Sequence, residues 1–160
     1  MKQTLLFTAI SFLFFAIGCD DRPEILTAEE RLEKDIAAIE QYLDDNNIDA
    51  QVDPTLNAIY YVIHREGPGQ INPLRSDEVE VSYVGRVLGS DEAFDENDSI
   101  TFTLGNLITG WQVGLQLMTE GDSATLFIPS GYAYGSSGSG QIRPNSILEF
   151  DISLIDIVGK

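Results

Sequence analysis

At 160 residues the chain has room for one domain of ordinary size plus appendages. Its 26 Asp+Glu against 9 Lys+Arg give a formal charge of −17. That is a poor match to nucleic acid, whose binding rests on Lys and Arg neutralising phosphates, and it would be repelled by anionic lipid headgroups.

The first eighteen residues read as a leader. Lys2 gives a basic start, LLFTAISFLFFAI runs from Leu5 to Ile17, and Gly18 supplies a small residue before Cys19. The run is shorter than the roughly 20 residues that cross a bilayer as a helix, and its layout is that of a secretory signal peptide. Ala16-Ile17-Gly18-Cys19 resembles the bacterial lipoprotein cleavage box. The resemblance implies that Cys19 is lipidated and becomes the new N-terminus, holding an extracytoplasmic protein on a bacterial membrane. The alternative is cleavage near Gly18, leaving a free thiol. Two or more acyl chains make a stable anchor, and at this acidity any membrane contact has to come through them.

Asp20 to Leu26 reads as a tether within residues 19–26, with Pro23 discouraging helix. A helix is expected over residues 27–47. Thr27 and Glu30 have capping-box spacing, Leu32, Ile36, Ile39 and Leu43 recur at three- and four-residue steps, and Asp44-Asp45-Asn46-Asn47 closes it. Packing on its own domain is the expected role. Pairing with a second copy and acting as a spacer are the alternatives.

From Leu56 the period changes to two, and a domain is expected over residues 56–158. Ile59, Tyr61 and Ile63 alternate with polar or second-face residues, as do Val79, Val81 and Tyr83, then Ile100, Phe102 and Leu104, then Ala124, Leu126 and Ile128, and finally Leu148, Phe150, Ile152 and Leu154. This alternation describes antiparallel strands with one face on a core. Gly67-Pro68-Gly69, Gly89-Ser90-Asp91, Gly121-Asp122, Pro129 and the segment from Gly135 to Pro144 punctuate them. Between Gly110 and Met118 the period is helical, with Trp111, Leu115 and Met118 on one face. The interior Gly114 costs about 1 kcal/mol relative to Ala, which points to close packing on the sheet. The fold class is therefore α+β: four or five strands and one short central helix, with an additional N-terminal helix.

Conventional catalytic sets are missing. The single histidine, His64, lies in a predicted strand and the single cysteine, Cys19, stands far from it just after the leader, so a zinc set of the usual spacing is excluded. There is no P-loop, no dinucleotide fingerprint and no nucleophile elbow. Asp95, Glu96 and Asp98 lack calcium-loop spacing and read as a solvated loop.

What remains is aromatic content in a particular order. VSYVGRVL (Val81 to Leu88), AFDEN (Ala93 to Asn97), FTLG (Phe102 to Gly105), LITGWQVGLQLMTEGDSATLFIP (Leu107 to Pro129), YAYG (Tyr132 to Gly135) and ILEFDISLIDI (Ile147 to Ile157) together resemble the FKBP prolyl isomerases over roughly Leu56 to Val158. The resemblance implies an antiparallel sheet wrapped across one short helix, with the site between them. It also implies peptidyl-prolyl cis–trans isomerase activity on proline-containing polypeptides, macrolide inhibitors such as rapamycin, and no cofactor or metal.

Carried over segment by segment, Trp111 is the pocket floor. Tyr83, Phe94, Phe102, Leu107, Ile108, Tyr134 and Phe150 are its walls, Asp95 is a polar group at the rim, and Ile142 comes from the flap. The Ile108 amide and the Tyr134 hydroxyl are the implied donors to a bound peptide. Ile100 stands where the family often has an aromatic, and Ser139 where an aromatic or histidine is common. Without turnover, the same pocket describes a proline-peptide-binding module or a holdase.

Overall fold

The structure, a computed structural model, describes residues 26–160. The leader, Cys19 and the tether up to residue 25 lie outside the described residues.

Helix α1, Ala28–Asp45, starts where the capping signal stands: the Glu30 amide donates to Thr27 Oγ1 at 3.2 Å and the Thr27 amide to Glu30 Oε2 at 2.8 Å. Six strands follow: β1 Gln51–Val52, β2 Tyr60–Arg65, β3 Glu78–Val87, β4 Ala93–Thr103, β5 Ser123–Ile128 and β6 Leu148–Ile157. They form one antiparallel sheet in the order β1-β2-β5-β6-β3-β4. The short β1 is the strand beyond the expected count. Its turn into β2 is held by buried Asp53, whose carboxylate accepts the amides of Thr55, Leu56, Ala58 and Ile59 at 2.6–3.1 Å. Burial alone would raise this carboxyl's pKa, and the four amides together bring it below the usual carboxylate value.

Helix α2, Thr109–Leu115, lies across one face of the sheet. Both of its glycines are requirements of packing. A Cβ on Gly110 would run into Ile128 and one on Gly114 into Leu126, both side chains of β5. The close approach expected from Gly114 is thus present, and Gly110 shares it. Around α2 the main core gathers Val79, Val81, Leu104, Leu115, Met118, Leu126, Ile128, Leu148, Phe150 and Leu154.

Two expectations need correcting. Burial alternates along β6 as expected, but not every strand is covered on one face only. In β5 every residue from Ala124 to Ile128 is buried, because α1 covers the second face, seating Ile39 and Leu43 on Phe127 beside Tyr60 and Val62. The apolar stripe of α1 therefore packs on its own domain. Secondly, the stretch holding Asp95, Glu96 and Asp98 is not a loop. It lies within β4, paired to β3, with a bulge: three steps of β4, Asn97 to Ile100, face two of β3, Val81 to Tyr83. An edge strand has one side in water, so it tolerates exposed Asp95, Glu96 and Asp98, and such charges also discourage edge-to-edge pairing.

Candidate active site

Between α2, β3, β4 and β6 lies a cavity of about 250 Å³ lined by Tyr83, Phe94, Asp95, Phe102, Leu107, Ile108, Trp111, Tyr134 and Phe150. Trp111, on the first turn of α2, is 4% exposed. Three rings meet it nearly at right angles: Tyr83 with centroids 5.0 Å apart and planes at 83°, Phe150 at 5.2 Å and 87°, and Phe102 at 6.2 Å and 81°. The indole is a floor and the three rings stand on it as walls, in the edge-to-face arrangement that aromatic quadrupoles favour. Phe94 meets Phe150 edge-on at 5.6 Å and 86° and extends that wall.

The backbone explains the positions. The Trp111 amide donates to Ile108 O at 3.0 Å, which fixes the first turn. Gln112 Nε2 donates to Leu107 O at 2.7 Å and to Gly105 O at 3.1 Å, tying the segment before α2 to the helix. Ile108 caps α2 from extended backbone, φ −57° and ψ 150°, and its N–H makes no backbone hydrogen bond among the described residues. Gly85, in the middle of β3, has no room for a side chain: a Cβ there would sit 2.6 Å from Phe150 Cε1 and 2.7 Å from Phe94 Cζ.

The polar groups gather at one rim. Tyr83 donates its hydroxyl to Asp95 Oδ2 at 2.6 Å. Burial first and the Asp95 carboxylate second hold the Tyr83 phenol well above its ordinary pKa. Burial and Asp95 act the same way on Tyr134, which is 37% exposed. Both phenols are therefore neutral hydrogen-bond donors at neutral pH. Trp111 Nε1 is buried with no hydrogen-bond partner among the described residues, one more donor close to the cavity floor.

Nine of the ten residues carried over from the resemblance line this cavity; Ile142 does not. Ser139 and Ile142 exchange backbone hydrogen bonds of 2.8 and 2.9 Å, closing the flap on itself, and the Ile142 side chain lies in the main core at 7% exposed. Ile100 packs against that core without lining the cavity. Gly85 and Gln112 were missed. A lone glycine inside the alternating stretch VSYVGRVL is a signal for close approach, whereas nothing local singles out Gln112. His64 is exposed, with Nε2 2.7 Å from Thr125 Oγ1, whose hydroxyl donates to Asp151 Oδ1 at 2.6 Å. Among the described residues no group of three or more His, Cys, Asp or Glu is arranged to hold a metal ion.

The family model described as FKBP-type peptidyl-prolyl cis-trans isomerase matches residues 69–155. Among curated proteins, the probable FkpA of Neisseria meningitidis serogroup B is 37% identical over 122 residues, covering 74% of this chain and 44% of that protein. FK506-binding protein 2 of Candida glabrata is 40% identical over 95 residues, covering 55% of this chain and 70% of that protein. The chain spans less than half the length of the FkpA relatives from Neisseria, Aeromonas and Buchnera. Two crystal structures superimpose well. A peptidyl-prolyl cis-trans isomerase from Pseudomonas syringae pv. tomato gives a TM-score of 0.66 at 31% identity, covering 78% of this chain and 94% of that one. FkpA from Escherichia coli gives 0.65 at 31%, covering 81% and 64%.

Proposed function

The chain belongs to the FKBP-type peptidyl-prolyl cis-trans isomerase family, and from that premise we propose that it catalyses rotation about X–Pro bonds in polypeptides, with the prolyl ring seated on Trp111. The observation that carries this reading is the aromatic box itself: three rings upright on one indole around an open cavity of about 250 Å³.

Rotation about an X–Pro bond faces a barrier of about 18–20 kcal/mol, because amide resonance is lost on the way. No bond to the protein has to form. At mid-rotation the carbonyl carries less negative charge than in the planar amide, so apolar walls penalise the planar ground state more than the twisted state. That is preferential binding of a transition state, aided by exclusion of the water that stabilises the resonance form. Each 1.36 kcal/mol of such preference gives about tenfold in rate.

The polar rim orients the peptide. The Ile108 N–H and the Tyr134 hydroxyl donate to peptide carbonyls, and Phe102 and Leu107 hold the chain beside them. Asp95 already accepts the Tyr83 hydroxyl, so it fixes a wall and does not serve as a base. The open box also suits a macrolide that mimics the twisted prolyl amide. The leader and the box around Cys19 support a place outside the cytoplasm, on a membrane, through a lipid. Among the described residues no helix is long and apolar enough to cross one.

The test is refolding of a proline-limited protein, followed with and without rapamycin, for the wild type and Trp111→Ala. Acceleration that rapamycin and Trp111→Ala both remove supports the proposal. Suppressed aggregation with an unchanged proline phase would replace it with a holdase.

A further inference from the structure

Asp35 is a charged residue in a place where the apolar stripe of α1 would accept a hydrocarbon. It is 3% exposed, and among the described residues no Lys or Arg forms an ion pair with it. Burying a carboxylate is unfavourable unless hydrogen bonds satisfy it. Here they come from one residue 95 positions away: the Ser130 amide donates to Asp35 Oδ2 at 2.8 Å, and the Ser130 hydroxyl donates to the same oxygen. Ser130 is itself fully buried.

Ser130 opens the 3₁₀ turn Ser130–Tyr132, in which Pro129 O accepts the Tyr132 amide and Ser130 O accepts the Ala133 amide, each at 3.0 Å. Tyr134 follows one residue after the turn, beyond Ala133. On its far side Gly135 turns the chain in the left-handed region, φ +57°, and its carbonyl accepts the Asn145 amide at 2.8 Å. The rim phenol is thus suspended between two fixed points. One of them is supplied by α1, which lies outside the family-matched residues 69–155, whereas Ser130 and Tyr134 lie inside.

We propose that Asp35 is a positioning residue for Tyr134, so that the N-terminal helix, by gripping Ser130, sets where the rim hydroxyl stands over the cavity. This rests on the reading of Tyr134 as a donor to the bound peptide. A carboxylate suits the task because a charged acceptor makes shorter and stronger bonds to N–H and O–H than a neutral one, and because one oxygen takes both donors of Ser130.

The experiment compares kcat and KM on a proline-containing peptide for wild type, Asp35→Asn, Asp35→Ala, Tyr134→Ala and the double variant Asp35→Ala/Tyr134→Ala. The protein is labelled with 3-fluorotyrosine, and Tyr134→Phe assigns the resonance. Asp35→Ala is expected to lower kcat/KM by no more than Tyr134→Ala does, with the double variant equal to Tyr134→Ala alone, since independent sites would multiply their losses. Asp35→Asn, which keeps an oxygen in place, falls between wild type and Asp35→Ala and remains informative where the alanine variant does not fold. The Tyr134 fluorine signal shifts or broadens, while that of Tyr60, which binds Glu40 of α1, stays put. Multiplying losses, or a Tyr60 signal that moves while Tyr134 does not, would overturn the proposal and leave Asp35 as a pin for helix docking. If Tyr134→Ala turns over like wild type, the reading of Tyr134 fails separately, and the fluorine signals alone decide whether Asp35 places the ring.

Discussion

Gly85→Ala adds one methyl group behind the wall of the cavity. The new Cβ would lie 2.6 Å from Phe150 Cε1, 2.7 Å from Phe94 Cζ and 2.8 Å from Phe94 Cε2, whereas carbon atoms rest at about 3.5–4.0 Å. Both rings would therefore have to retreat by about 1 Å. Neither is a floppy chain end: Phe150 is packed edge-on against Trp111 and against Phe94. Overpacking of this kind costs about 1–3 kcal/mol. Reduced freedom of the unfolded chain returns about 0.4–1 kcal/mol, leaving a net destabilisation of about 1 kcal/mol at the middle of these ranges. With a urea m-value of about 2 kcal/mol/M, that lowers the denaturation midpoint by roughly 0.5 M. The displaced rings also intrude on the space for substrate, and a misplacement of about 1 Å is enough to cost up to about 100-fold in rate. Urea melts and a protease-coupled isomerisation assay measure the two effects. An unchanged midpoint together with wild-type kcat/KM would refute the packing argument.

Three further outcomes are expected. Because the Tyr83 and Tyr134 phenols are held above the ordinary tyrosine value of about 10, both stay protonated through the neutral and mildly alkaline range. Isomerase activity should then show no loss between pH 7 and about 10, and a break attributable to tyrosine below that range would contradict the polar rim. Asp53→Asn removes the charge from a four-amide acceptor and should destabilise the wild-type fold at neutral pH by about 2 kcal/mol. Since the folded pKa of Asp53 is depressed, its contribution is complete above about 3.9 and drains away as pH falls through the folded value, so the two urea-stability profiles should converge below about pH 4. Parallel profiles down to pH 2 would count against it. Finally, palmitate labelling should follow Cys19 and move the protein to the soluble fraction in Cys19→Ala; a wild-type protein that is soluble and unlabelled would end the lipid proposal.

The capping box at Thr27 and Glu30 was readable from the chain because its partners are three residues apart. The stripe ending in Ile39 and Leu43 was readable because it repeats at helical spacing. Trp111 and the rings around it could be named in advance through the order of their motifs, although no local rule says that four aromatics from β3, β4, α2 and β6 will meet at right angles. Where the reading went astray, the deciding partner lay far along the chain. The stretch of Asp95, Glu96 and Asp98 looked like a solvated loop since its charges are the same whether the backbone is free or paired to β3.

By itself, then, the order of residues determined the elements, the charge and the aromatic inventory of the site, because periodicity, capping and motif spacing act over a few residues. Only the tertiary structure decided that β5 is buried on both faces, that Gly85 must lack a side chain, and that Asp35 reaches Ser130. Those facts depend on which distant surface comes to rest against each residue. Periodicity tells which face of an element is buried, and leaves no trace of which remote partner buries it.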